Sequence, residues 1–290
     1  MHAVTRRQFG AIALSAAACA FGGLAGCTPA ATKTTQQGSG SAAAAPAPAP
    51  EGTIVVGVRS DIVGFGLQNE KTGKYYGLEI DIAKEMASRM GYKEVEYTTV
   101  TPDNRKETLL AGEVDALVAC YSIADSRLEN LDFSPAYYTD NVIAVVQKSS
   151  LIDSISDLKG CTFGTMAGSN AAPLLSIKLY NVGFTNGEVV KTNDDNSEVD
   201  FDTWHLSQFP SYQALSDALE EGIVDAIVLD GAIAHTYIND DRSIIQGFNV
   251  AEQSYGVATQ KNSELSGMVH DAIQGMLDDG TIAKLVDKWD

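Results

Sequence analysis

The side chains of this 290-residue sequence whose type and place could do chemistry are ionic and polar rather than nucleophilic. Asp230 closes the run Val224-Asp-Ala-Ile-Val-Leu-Asp230. A carboxylate at the end of so apolar a stretch needs a partner for its charge. Gly168-Ser169-Asn170 separates a strand-like run from a helix-like run that starts at Ala171, and backbone N–H groups at a helix start attract an anion. Arg127 ends Ser122-Ile-Ala-Asp-Ser-Arg127. Its planar guanidinium could hold a carboxylate through two parallel hydrogen bonds, although taken alone it reads first as a solvated arginine ahead of an acidic stretch. Covalent and cofactor chemistry find no motif. Ala167-Gly-Ser-Asn-Ala171 lacks the second glycine of a nucleophile elbow, and Gly64-Phe-Gly66 is not followed by a helix start at nucleotide-binding spacing. His2, His205, His235 and His270 are scattered, with no metal-ligand spacing. No metal or cofactor is expected.

The elements that must position these residues alternate. Thr53–Val58 is a β-branched run suited to a strand buried on both faces. Further strand-like runs cover 95–100, 116–119 and 142–146, and then 161–165 and 225–229. Between them, Asp81 is placed as the N-cap of a helix that buries Ile82, Ala83, Met86 and Met90 and stops at Gly91. Shorter helices are expected over 108–111, 171–180 and 214–220. Leu109-Leu-Ala-Gly-Glu-Val-Asp-Ala116 recurs as Leu219-Glu-Glu-Gly-Ile-Val-Asp-Ala226, a helix, glycine turn and buried strand in each half. This pattern argues an α/β fold with largely parallel sheets in two related lobes, and a cleft at the carboxyl ends of their strands.

Arg6-Arg7 precede the uncharged apolar run from Phe9 to Leu24, which ends in Leu24-Ala-Gly-Cys27. That run falls short of the roughly 20 residues needed to span a bilayer and has the plan of an export signal. Its end resembles a bacterial lipobox, with Cys27 as the acylated residue, and Thr5-Arg-Arg-Gln-Phe9 resembles a twin-arginine signal. The expected organisation is a signal over 1–26 and a lipidated Cys27 with a flexible Ala/Pro/Ser/Thr tether over 27–52. Lobe one then covers 53–140 plus 254–290, and lobe two 141–253. Loss of 1–26 removes Arg6 and Arg7 and no acids, which leaves 18 basic residues against 38 acidic ones and a formal charge near −20. Such a surface repels nucleic acid and anionic headgroups and favours a soluble monomer, so the membrane is met through the lipid alone. Once Cys19 and Cys27 are set aside, Cys120 and Cys161 fall in different lobes and are expected as free thiols, mostly buried.

Tyr76-Gly-Leu-Glu-Ile-Asp-Ile-Ala83, Leu110-Ala-Gly-Glu-Val-Asp-Ala116, Ser122–Arg127 and Leu131-Asp-Phe-Ser-Pro-Ala-Tyr-Tyr138 follow in order. So do Leu158-Lys-Gly160, Gly168-Ser-Asn170, Val224–Asp230 and Tyr255-Gly-Val-Ala258. The ordered set resembles the family 3 extracellular solute-binding proteins of polar amino acid ABC importers and covers nearly all of 53–290. The resemblance implies a type II periplasmic-binding-protein-like fold with no enzymatic role and with ABC permease subunits as partners. Arg127 would then clamp the ligand's α-carboxylate with Ser122 as a further donor, and Gly168-Ser169-Asn170 would meet the same group from lobe two. Asp230 and the Cys120 carbonyl would accept from the α-ammonium, and Phe65 would form an aromatic wall. Arg59 and Arg105 match positions where the glutamate- and aspartate-binding branch places arginines against the distal carboxylate. An acidic L-amino acid is therefore expected, with cysteine, cystine, glutamine or another polar amino acid as alternatives. Hinges are expected near 137–141 and 253–255.

Two departures from the family pattern matter. Ala124 stands where a threonine usually starts the helix that carries the arginine, which leaves Asp125 to cap it. Residues 192–207 look like an insertion in which Trp204 covers lobe two rather than rims the cleft. Rival readings are a dehydratase-like enzyme on the same scaffold, which would need a positioned general acid, and an amino acid sensor that docks on a receptor.

Overall fold

β1 (Thr53–Val58) starts the folded chain and buries Ile54, Val56 and Val58 completely. The structure is a computed structural model and describes residues 52–289; the export signal, Cys27 and the tether up to residue 51 lie outside the described residues. After β1 come β2 (Asp61–Ile62), β3 (Gly66–Gln68), β4 (Tyr75–Tyr76), α1 (Leu78–Met90), β5 (Glu94–Thr99), α2 (Arg105–Leu110), β6 (Ala116–Val118), α3 (Asp125–Leu128) and β7 (Leu131–Phe133). The chain then runs through β8 (Tyr138–Gln147), β9 (Thr162–Met166), α4 (Ala171–Asn181), β10 (Val189–Thr192), β11 (Glu198–Phe201), β12 (His205–Phe209), α5 (Tyr212–Glu220), β13 (Ala226–Asp230), α6 (Gly231–Tyr237) and β14 (Arg242–Tyr255). It closes with β15 (Ala258–Gln260), α7 (Glu264–Asp278) and α8 (Thr281–Trp289).

Two main sheets result, as expected for a two-lobed α/β fold, but they are mixed and not largely parallel, because β15 runs antiparallel to β6 and β7, and β8 antiparallel to β13 and β14. The first has the order β5-β1-β6-β15-β7, with β1 parallel to β5 and β6. The second has the order β10-β11-β12-β9-β13-β8-β14, with β9 parallel to β12 and β13. β8 and β14 run antiparallel from Gln147↔Arg242 to Tyr138↔Tyr255, where Ser122 of the first lobe bridges to Tyr255. These two strands are the covalent path between the lobes.

Helix starts differ from the expected ones for reasons of tertiary geometry. α1 begins at Leu78 and not after Asp81, because the chain turns at Gly77 with φ 133°, where a Cβ would lie 2.1 Å from the Phe65 carbonyl oxygen. Only glycine fits there. Asp81, freed from capping, accepts from Lys288 Nζ at 2.6 Å and Trp289 Nε1 at 2.8 Å and fixes the C-terminal helix. α2 starts three residues before the expected 108, since Thr101 and Asn104 exchange hydrogen bonds across Pro102-Asp103 and set the first turn. In α3, Asp125 is the first helical residue and makes no cap bond, and neither does Ala124. Gly91 does close α1, in the left-handed region at φ 90°.

The unassigned stretch in lobe two is the antiparallel β10-β11-β12 edge of the second sheet. Trp204 there is fully buried, stacked on Phe201 at 4.2 Å and edge-on to Phe163 at 5.6 Å. It packs in the core of lobe two. Among the described residues, no helix is long and apolar enough to cross a membrane.

Candidate functional site

Lobe one delivers three arginines to the ends of its strands. Arg59 follows β1 directly, Arg105 opens α2 and Arg127 lies on α3. The Nη1 of Arg127 donates to the Ser122 carbonyl at 2.7 Å and to the Ser122 hydroxyl at 2.5 Å, while Nη2 reaches the Gly168 carbonyl of lobe two at 3.5 Å. Ser122 thus aims the guanidinium across the cleft. Burial, and then the like charge of Arg105, push the pKa of Arg127 down to about 10, which still leaves a cation at neutral pH. Arg105 and Arg127 both lie over the Tyr121 ring, at 4.0 and 4.5 Å, and such contacts soften the desolvation of a cation.

Arg59 and Arg105 are each only 2% exposed. The Nη2 of Arg59 meets both oxygens of Asp61 at 2.7 Å, and its guanidinium carbon lies 5.4 Å from the Tyr212 ring of lobe two. The Nη1 of Arg105 donates to the carbonyls of Ala119 at 2.7 Å and Cys120 at 3.2 Å. The Cys120 carbonyl, expected to be open to an ammonium, is therefore already engaged by a cation. The Nε and Nη1 of Arg59 and the Nε of Arg105 are buried without a hydrogen-bond partner. Donors in that state carry a desolvation penalty that a bound anion relieves.

Cys120 occupies the left-handed region at φ 46°, and its N–H donates to Glu79 Oε1 at 2.6 Å. Burial, and then the charge of Glu79, push the Cys120 thiol well up, so it stays protonated and is no nucleophile. Cys161 is also a free thiol and is only partly buried. Phe65 is buried in the core and packs edge-on against Tyr138 at 5.0 Å and Tyr255 at 6.3 Å, beside the strands that join the lobes.

From lobe two, β13 ends on Asp230, which is 6% exposed and accepts from the Tyr255 hydroxyl at 2.5 Å. Burial, helped by the neighbouring Asp140, pushes its pKa up to about 6 against the Tyr255 bond and Arg105. Asp230 lies near enough to Arg127 and Arg105 for charge to act between the acid and each cation. In the loop between β9 and α4, the Ser169 hydroxyl donates to the Met166 carbonyl at 2.7 Å and accepts from Ala171 N–H at 3.3 Å. It shapes the loop instead of pointing free, and Asn170 stands at the N-cap of α4 with no side-chain cap bond.

Gly168 has φ 72°, and a Cβ there would lie 2.5 Å from the Pro102 carbonyl oxygen of lobe one. Gly168→Ala is therefore expected to weaken ligand affinity about tenfold or more by propping the lobes apart, while the left-handed backbone itself costs only about 1–2 kcal/mol of stability. Calorimetric titration alongside thermal denaturation separates the two effects.

Sequence reasoning passed over Glu79, Asp61, Tyr121, Tyr212 and Tyr255. Glu79 had one signal: an acid inside the row of α1 that Ala83 and Ala87 continue into the core. The aromatic residues had none, because their contacts cross between segments far apart in the chain.

The family model for bacterial extracellular solute-binding proteins, family 3, matches residues 54–290. The glutamine-binding protein GlnH of Bacillus subtilis is 28% identical over 240 residues, 81% of this chain and 80% of that protein. A glutamine-binding protein of Geobacillus stearothermophilus is 30% identical over 217 residues, 73% of this chain and 74% of that one. Among solved structures, an ancestral arginine-binding protein bound to arginine superposes with a TM-score of 0.66 at 30% identity and covers 82% of this chain and 97% of its own.

Proposed function

The chain belongs to the bacterial extracellular solute-binding proteins, family 3, and from that premise we propose that its cleft captures an L-amino acid for delivery to the permease of an ABC importer. The observations that support this reading are a cation, Arg127, on α3 of one lobe whose Nη2 reaches the Gly168 carbonyl of the other, and an acid, Asp230, that ends β13 of that other lobe near enough for its charge to act on Arg127. A zwitterion satisfies both at once: the carboxylate takes the donors of Arg127 and Ser122, and the ammonium pairs with Asp230. Since both ends are met only when the lobes approach, binding and closure are coupled. The boundaries are assigned at 140/141 and 253/254, with bending at 137–141 and 253–255.

The side chain of the ligand is assigned as acidic, glutamate or aspartate. The relatives' ligands do not decide this; the support is the unpartnered donors of Arg59 and Arg105, two buried cations with hydrogen bonds to spare. The distal carboxylate would take them. Residues 1–26 are assigned as the export signal and Cys27 as the lipid anchor that keeps a monomeric carrier at the outer face of the membrane.

Calorimetry with the twenty amino acids tests the reading. L-glutamate or L-aspartate is expected to bind with a dissociation constant near micromolar, roughly −8 kcal/mol. Arg105→Ala is expected to remove binding of dicarboxylates alone. Unchanged glutamate affinity in that variant would refute the acidic assignment, and no response to any amino acid would refute the carrier.

A further inference from the structure

Glu79 is fully buried in α1, whose inward face is otherwise built from Leu78, Ile80, Ile82, Ala83, Met86 and Met90. An acid at such a place is expensive unless bonded, and an apolar residue of similar volume would pack without that penalty. Its bonds come from uncharged donors: Cys120 N–H at 2.6 Å, the Tyr137 hydroxyl at 2.5 Å and Cys120 Sγ at 3.6 Å. None of these partners carries a positive charge. Its charge is therefore not consumed by a direct ion pair. One peptide unit joins it to the arginines: the Ala119–Cys120 peptide donates its N–H to Glu79 at 2.6 Å and accepts from Arg105 Nη1 at 2.7 Å. Burial pushes the Glu79 pKa up, while the Tyr137 and Cys120 bonds and then the charge of Arg59 pull it down.

The wall assigned above to the ligand's side chain holds Arg59 and Arg105, with Asp61 and Glu79 as the acids beside them. Asp61 is 40% exposed at its side chain, so water screens its charge. Glu79 is screened far less. Resting on the amino acid reading of this cleft, we propose that Glu79 is a specificity-determining residue: its buried carboxylate sets how much positive charge the wall offers, and hence how far the site prefers a dicarboxylic amino acid over the matching amide.

L-glutamate and L-glutamine are the probes, because they differ by one charge at nearly equal shape. Calorimetry on the whole protein compares the unsubstituted chain with Glu79→Gln and with Tyr137→Phe. Glu79→Gln keeps an acceptor for Cys120 N–H and removes the charge, so it is expected to shift the affinity ratio toward glutamate about tenfold or more, as a unit charge within about 10 Å does at an effective dielectric near 20. Tyr137→Phe removes a bond to Glu79 and leaves the charge, and the ratio should then stay within about twofold of the original. Equal weakening of both probes in Glu79→Gln, or a ratio shift in Tyr137→Phe as large as in Glu79→Gln, would overturn the proposal, since the effect would follow geometry and not charge. If the unsubstituted protein binds neither probe and no other amino acid, the amino acid reading itself falls and takes this proposal with it.

Discussion

Arg127→Ala is expected to weaken amino acid binding by about 100- to 10,000-fold, the equivalent of two charge-assisted hydrogen bonds at roughly 1.5–3 kcal/mol each. The geometry makes the loss specific to binding. The Nη1 of Arg127 is tied to Ser122 within its own lobe, whereas Nη2 extends toward Gly168 of the other lobe. The same guanidinium carries a desolvation penalty and the like charge of Arg105, so its removal from the ligand-free fold forfeits little stability. Arg127→Lys is expected to rescue only a minor part, because an ammonium lacks the two-pronged geometry that matches a carboxylate. Calorimetric titration reads the affinities. A loss below tenfold in the alanine variant would mean that the carboxylate is held elsewhere.

Asp230→Asn is the counterpart at the other end of the ligand. The amide keeps the shape and an acceptor for the Tyr255 hydroxyl but loses the charge, and truncation of one member of a buried charge pair costs about 2–5 kcal/mol of binding. The wild-type protein should also show a pH dependence that the variant lacks. With its pKa raised to about 6 by burial, Asp230 is protonated below that pH and cannot pair with an ammonium, so the dissociation constant rises as pH falls through 6. The stability of the ligand-free fold runs the other way. A carboxyl whose folded pKa lies above its unfolded value of about 4 stabilises fully below the latter, and that contribution is lost as pH rises through about 6. The groups around it are Asp140, Tyr255, Arg105 and Gln253. The thermal shift that the ligand produces should therefore grow from pH 5 to pH 7, and a flat profile would contradict the assignment of Asp230.

What was legible in the chain and what was not divides on physical grounds. β1 and β13 are runs of β-branched and aliphatic residues whose burial is a local property, and Gly91 ends α1 through its own backbone freedom. The strand ends at Arg59 and Asp230 were therefore readable. The start of α1 was not, because Gly77 is forced by the Phe65 carbonyl, and Asp81 finds its partners 207 and 208 residues away. Glu79 was missed on the same ground, with Cys120 and Tyr137 at separations of 41 and 58 residues. The recurrence of Val-Asp-Ala in both halves foretold two related lobes, and β6 and β13 begin at its alanines. It did not foretell that Arg105 would engage the Ala119 and Cys120 carbonyls, since that depends on how α2 lies under the first sheet.

The most direct test is a crystal structure of the protein grown with the amino acid that gives the largest thermal shift. The expected result is one ligand between the lobes, with its α-carboxylate about 3 Å from Arg127 and its ammonium about 3 Å from Asp230. A ligand bound with either residue out of reach, or outside the space the two share, would contradict the account.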